Sequence, residues 1–191
     1  MAKFFGNLHL VLLTGLVLAI VVMLKFSGDV AVDASSVLRW SHLFFGIVWI
    51  GLLYYLNFVQ VPTMPSIPAE LKGGVTGYIA PKVLFFFRYG ALLTVVTGLC
   101  IAYVAGYAHR AMVLQGNAHE NLIGLGMWLA LIMAFNVWFV IWPAQQKALG
   151  LVEADDATKA AAATRAMMFS RTNTLLSLPM FYAMVNANIH V

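Results

Sequence analysis

Five histidines are the residues most able to do chemistry in this sequence, and four of them fall near chain positions that suggest a common depth. His42 lies inside an apolar run, His109 closes another, His119 follows in a short polar connection, and His190 ends the last run; His9 stands apart near the start. Imidazoles from separate helices that meet at one level can ligate a metal ion or a haem iron. His42 carries the sharpest argument, because ionisable residues within membrane-depth sequence usually face other helices and serve a function. His109 is expected to be the second ligand. No C-x-x-C-H occurs, so covalent c-type haem is excluded. A structural zinc cage is not expected without a local cysteine and histidine cluster.

Small residues accompany both histidines. Gly46 follows His42 by one helical turn, and Gly98, Ala102 and Gly106 repeat every four residues before His109. Such a stripe lets a second helix, or the flat face of a porphyrin, come close. Gly46 and Gly106 are therefore expected cofactor contacts. Arg39 and Arg110 adjoin the two histidines and are expected to pair with haem propionates or a carboxylate substrate. Interfacial snorkelling is the plainer alternative for both. Met127, Met133, Met180 and Met184 lie within apolar runs, where a thioether either fills space or serves as a sixth ligand to iron.

Composition dictates what must position these groups. Of 191 residues, 62% are hydrophobic and 9% charged, against about 25% charged in an ordinary soluble domain. Five apolar runs, roughly 8–26, 38–60, 87–109, 121–143 and 172–190, approach the length needed to cross a bilayer. In lipid each backbone polar group must be satisfied within its own segment, so the runs are expected to be helices. The fold class is thus an all-α integral membrane bundle of about five transmembrane helices, one membrane domain spanning residues 1–191. The first run is expected to be retained as a helix and not removed as a signal, since it is long and Lys25 follows it directly.

Charge sets the orientation. With the N-terminus in the cytoplasm, Lys3, Lys72, Lys82, Arg88, Lys147, Lys159, Arg165 and Arg171 lie inside, and Lys25, Arg39 and Arg110 lie outside. That asymmetry satisfies the positive-inside rule and puts the C-terminus in the periplasm of a bacterial inner membrane. The same scatter excludes nucleic acid as a partner despite a net charge of +4. Residues 61–86, with Pro62, Pro65, Pro68, Gly73 and Gly74, are expected to open as an irregular loop. Residues 153–170 carry acids first and bases last, and are expected to form a helix that runs into the fifth span, where Pro179 should kink it. Asn57, Gln60 and Asn136 are buried polar groups expected to bond between helices. The single cysteine, Cys100, is read as packing. Hydrolytic chemistry and nucleotide binding are excluded: the acids all fall in loops, and no phosphate-binding loop occurs.

Three stretches carry a family resemblance. RWSHLFFGIVWIGLLYYLNFVQVP (Arg39 to Pro62), NVWFVIWPAQQK (Asn136 to Lys147) and SRTNTLLSLPMF (Ser170 to Phe181) resemble, in that order, motifs of the membrane domain of bacterial urate oxidase, also called urate hydroxylase. His42, Gly46, Trp49, Gly51 and Asn57 match its second-helix motif; Arg171, Asn173 and Pro179 match its closing one. Thr172 stands where the family pattern places a histidine, and His190 lies two residues past that pattern's terminal histidine. The resemblance implies a helical domain that passes electrons towards cytochrome c, in several members through a fused cytochrome c domain. This sequence ends at Val191 without one, so a separate cytochrome c or a larger respiratory membrane complex is the expected partner, with a homo-oligomer also open. Three functions stay open: a b-type haem electron-transfer subunit, a membrane oxidase of urate or a related heterocycle, and a cofactor-free accessory subunit.

Overall fold

A computed structural model describes residues 1–26 and 33–187, and every regular element among them is helical. The chain forms two compact units, Met1–Val37 and Leu38–Val191. The first unit holds a short turn and helix α1 (Leu8–Phe26), which buries none of its residues against protein. A helix apolar all round with no buried residue has the character of one that lipid covers.

The second unit is a bundle. It comprises most of α2 (Ala34–Ser66), α3 (Ala69–Val104), the short α4 (Ala108–Met112), α5 (Ala118–Ala148) and α6 (Asp156–Asn186). Together with α1, the helices α2, α3 and α5 are long and apolar enough to cross a membrane; among the described residues these four qualify. The fifth expected span falls on α6, and its last residues, including His190, lie outside the described residues. α6 is less apolar for a visible reason. Its inward face presents Ser170, Asn173 and Ser177, all buried, between Ala166 and Met180. As expected, it begins ahead of the span: Asp155 caps it by accepting a hydrogen bond from the Thr158 N–H at 2.7 Å, and the helix runs on through Pro179.

The prolines produce the main departure from expectation. The first part of 61–86, expected to be irregular, is a short helical turn and a 3-10 turn broken at Ile67 and Pro68, and the chain is helical from Ala69 on. Wide π-turns at Tyr55–Gln60, Val75–Ile79 and Asn136–Ile141 each end two residues ahead of a proline: Pro62, Pro81 and Pro143. A proline lacks an N–H and pushes its ring at the carbonyl four residues back; widening that turn removes the clash without ending the helix. α2 and α3 therefore reach about 50 Å at ~1.5 Å per residue, well past a hydrocarbon core of ~30 Å.

Helix contacts are made through glycine. At Gly90 of α3 an added Cβ would lie 3.2 Å from the Trp49 backbone nitrogen of α2, and at Gly126 of α5 one would lie 3.1 Å from Ala183 of α6. Trp49, Leu53, Phe87, Met133 and Val137 form the centre of the core, each 1% exposed or less.

Candidate functional site

His42 sits on α2, two turns from the start, and its half-buried ring lies against α3. The Nδ1 is 2.9 Å from the Thr94 carbonyl oxygen and 3.2 Å from the Thr97 hydroxyl. A carbonyl can only accept, so Nδ1 must carry the proton. The Thr97 hydroxyl donates to the Leu93 carbonyl at 2.7 Å, which leaves its lone pairs for the same imidazole N–H. The tautomer is therefore fixed, and Nε2 is left with a lone pair. This is the arrangement found behind metal-binding histidines, where a backbone carbonyl on one ring nitrogen orients the other.

Gly98 makes room for this ring. A Cβ there would stand 2.9 Å from His42 Cε1 and 3.2 Å from Nδ1, closer than packed atoms tolerate. Beside the ring is a small pocket of about 30 Å³, wholly apolar apart from the imidazole and Thr94. Met127 and Ala130 of α5 and Met184 of α6 contribute its other walls. His42 and Thr94 present only carbon to this space.

The other sequence-derived site residues fare differently. α3 ends at Val104, so His109 does not close it but lies exposed on α4. Gly106 is the cause: at φ +74° it bends the chain, while its N–H bonds to Tyr103 and that of Tyr107 bonds to Ala102, capping α3. Gly106 is thus a helix cap. Gly46 faces α3, with Thr94 Cγ2 3.9 Å from where its Cβ would be. The alternative role of the small residues, helix packing, accounts for both Gly46 and Gly98. Arg39 is exposed, and its charge acts on the Tyr107 phenol. Arg110 is engaged by protein: its Nε donates to both Glu120 oxygens at 3.0 and 3.1 Å, and Nη2 donates to Oε1. Glu120 in turn completes a capping box with Asn117 at the start of α5. His119 is half-buried nearby and His9 is exposed on α1. Among the described residues no three His, Cys, Asp or Glu side chains gather, so the expected meeting of histidines is absent there.

Thr94, Thr97 and the choice among the methionines were not legible in the sequence. The available signal was two threonines, one turn apart and just ahead of Gly98, on one face of an apolar run. The expected interhelical bonding of asparagines does occur. Asn57 donates to the Ser170 hydroxyl at 2.8 Å, and Asn136 donates to Asn173 Oδ1 at 2.9 Å. Asn173 itself donates to the Met133 carbonyl at 2.9 Å, and Tyr54 pairs with Ser177 at 2.9 Å. Arg88 lies 3.3 Å over the Trp142 ring, a contact that holds α3 to α5.

Haem can be tested against these residues. The imidazole suits an axial iron bond. The glycines do not form a seat for a macrocycle, since His42, Thr94 and the cap of α3 account for them, and the space beside the ring is only about 30 Å³.

Comparison with known proteins gives one match. Residues 90–190 fit the model of the family described as urate oxidase N-terminal. No curated protein and no solved structure matches. The matched stretch contains Thr94, Thr97, Gly98, Met127 and Met184, and covers more than half of the sequence. The chain belongs to the urate oxidase N-terminal family.

Proposed function

We propose that this chain is a membrane-embedded electron-transfer subunit whose redox metal is ligated by His42. The supporting observation is the imidazole itself, its Nδ1–H tied to the Thr94 carbonyl at 2.9 Å and its Nε2 lone pair left for a metal. A neutral, oriented imidazole at membrane depth is costly to bury without a purpose. Haem b, the cofactor expected from the sequence, has no seat beside this ring; a redox metal held by His42 would supply one-electron chemistry. The protein's part is to fix the ring, exclude water with Met127, Ala130 and Met184, and keep the site apolar.

The proposal includes a placement. The N-terminus lies in the cytoplasm of a bacterial inner membrane, which puts the His42 end of the bundle towards the periplasm, within reach of an external cytochrome c or a respiratory complex. A second reading, oxidation of urate or a related heterocycle, draws on the family description. The test uses the purified protein in vesicles with external cytochrome c. Oxidised and reduced spectra should reveal a bound redox metal, absent in His42→Ala. Reduction of cytochrome c on adding urate favours the second reading. Identical spectra from both proteins would reject His42 as the ligand.

A further inference from the structure

We propose that Arg88 binds the headgroup phosphate of an anionic phospholipid, on an aromatic shelf formed by α3 and α5. This rests on the chain spanning a membrane and is independent of any metal at His42.

Arg88 carries a charge that protein does not compensate. Among the described residues the ion pairs join Arg110 to Glu120 and Lys159 to Asp156, and no carboxylate meets Arg88. Its Nε donates to the Leu84 carbonyl of its own helix at 3.2 Å, which leaves the N–H groups of both Nη nitrogens without a partner among those residues. The half-buried guanidinium is held in place, its carbon 3.3 Å over the Trp142 ring and 5.6 Å from the Trp138 ring centroid. Arg88 lies 16 residues before Val104, the last residue of α3, which is about 24 Å along the axis at ~1.5 Å per residue. With that end of α3 at one membrane surface, a hydrocarbon core of ~30 Å puts the guanidinium close to the opposite headgroup layer. A charge at such a depth pairs with a counter-ion or reaches one through its stem.

The chemistry of the surroundings selects a lipid. Two indoles restrain the guanidinium, and a fork preset in this way matches the paired oxygens of a phosphodiester. Ring contacts run from Trp138 to Tyr89 at 5.7 Å and on to Phe85 at 4.6 Å. Tyr89 and Phe85 are 41% and 48% exposed, so they offer acyl chains a surface beside the phosphate that a free phosphate ion cannot use. Tryptophan and tyrosine are the side chains that gather at the headgroup level. Lys82, towards the start of α3, and Lys147, towards the end of α5, lie beyond Arg88 on that side and are exposed. Their charge draws negative headgroups. A zwitterionic lipid is disfavoured, because its own cation already neutralises the phosphate.

The experiment titrates the full-length protein in detergent with a short-chain phosphatidylglycerol, with phosphatidylcholine of the same chains, and with inorganic phosphate. Bound lipid is counted by native mass spectrometry, and affinity is read from the rise in thermal unfolding temperature. The variants are Arg88→Gln, Arg88→Lys and, as a control for general charge, Lys147→Gln; circular dichroism checks the fold of each. The wild type should bind phosphatidylglycerol about tenfold more tightly than Arg88→Gln does, the loss expected for a charge-assisted pair of hydrogen bonds. Arg88→Lys keeps the charge but not the fork or the stacking, and should fall between the two. It carries the comparison if Arg88→Gln does not fold. Lys147→Gln should change affinity by less than about twofold. Phosphatidylcholine and inorganic phosphate should each bind far more weakly than phosphatidylglycerol. Phosphatidylglycerol affinity unchanged in the Arg88 variants, even with a lower unfolding temperature, would leave Arg88 as a clip between α3 and α5 and overturn the proposal. So would phosphatidylcholine or inorganic phosphate binding as tightly as phosphatidylglycerol, or an equal loss in Lys147→Gln.

Discussion

Two regions of this bundle bury polar side chains, and they do so to different ends. Around the π-turns of α2 and α5, Tyr54, Asn57, Asn136, Ser170, Asn173 and Ser177 bond to one another and to the Met133 carbonyl across helices. That network ties α6 to α2 and α5, although the Asn57 Oδ1 is buried without a hydrogen-bond partner. At the other end of α2, His42 hydrogen-bonds through Nδ1 to Thr94, and Nε2 is its proposed metal donor. A network that joins helix to helix reads as architecture; a ring oriented by its neighbour and set beside an apolar pocket is the proposed ligand. Polarity at membrane depth is therefore not by itself a functional mark. What distinguishes the two regions is what lies beside them: another helix around Asn173, a small apolar pocket beside His42.

Substitutions in the two regions should separate along that line. The largest effect is expected for His42→Ala, which removes the metal donor and abolishes binding, measured as metal content, while the fold persists. Gly98→Ala comes next. Its Cβ would drive into the imidazole at 2.9 Å, and displacing a ligand in this way costs about 10–100-fold in metal affinity by titration. Gly90→Ala, two turns away on the same helix, meets the Trp49 backbone instead. It should cost about 1–3 kcal/mol in thermal unfolding and leave metal affinity unchanged. Asn173→Ala breaks two interhelical bonds, and bonds of this kind average about 0.6 kcal/mol each in membrane proteins. It should lower thermal stability by roughly 1 kcal/mol, again without touching the metal. Should Gly90→Ala and Gly98→Ala behave alike, the division between the two regions fails.

The smallest effect is one of pH, at the start of α6. Hydrogen bonds from the Thr158 backbone and hydroxyl hold the Asp155 carboxyl below the usual carboxylate range. A depressed folded-state value means the cap contributes above the unfolded carboxyl's pKa and is lost as pH falls through the folded one. Thermal unfolding followed by circular dichroism should lose a small increment under acid conditions. Asp155→Asn, which can cap but cannot ionise, should flatten that dependence.

Much of the architecture was legible because lipid imposes a simple rule: apolar runs of sufficient length become helices. The runs at 8–26, 38–60 and 121–143 all lie within helices of the structure, and the helix expected over 153–170 begins at Asp156. The prolines were misleading. Pro62 read as punctuation, yet a π-turn before it lets the helix continue, and nothing in local composition announces that the widened turn will be tolerated. The end of α3 was misjudged for the opposite reason: Gly106 looked like one more small residue in a stripe, whereas its positive φ closes the helix and carries His109 to the surface. His42 itself was legible from its apolar surroundings. Its partner was not, because a helix carbonyl such as that of Thr94 carries no signature in sequence.

The account depends most on a metal bound through His42. Metal content and oxidised and reduced absorption spectra, taken side by side on purified wild type and on folded His42→Ala, address it directly. The account predicts close to one metal per chain in the first and none in the second, with the redox-dependent absorption lost alongside. Equal metal content and unchanged spectra in the two proteins would contradict it.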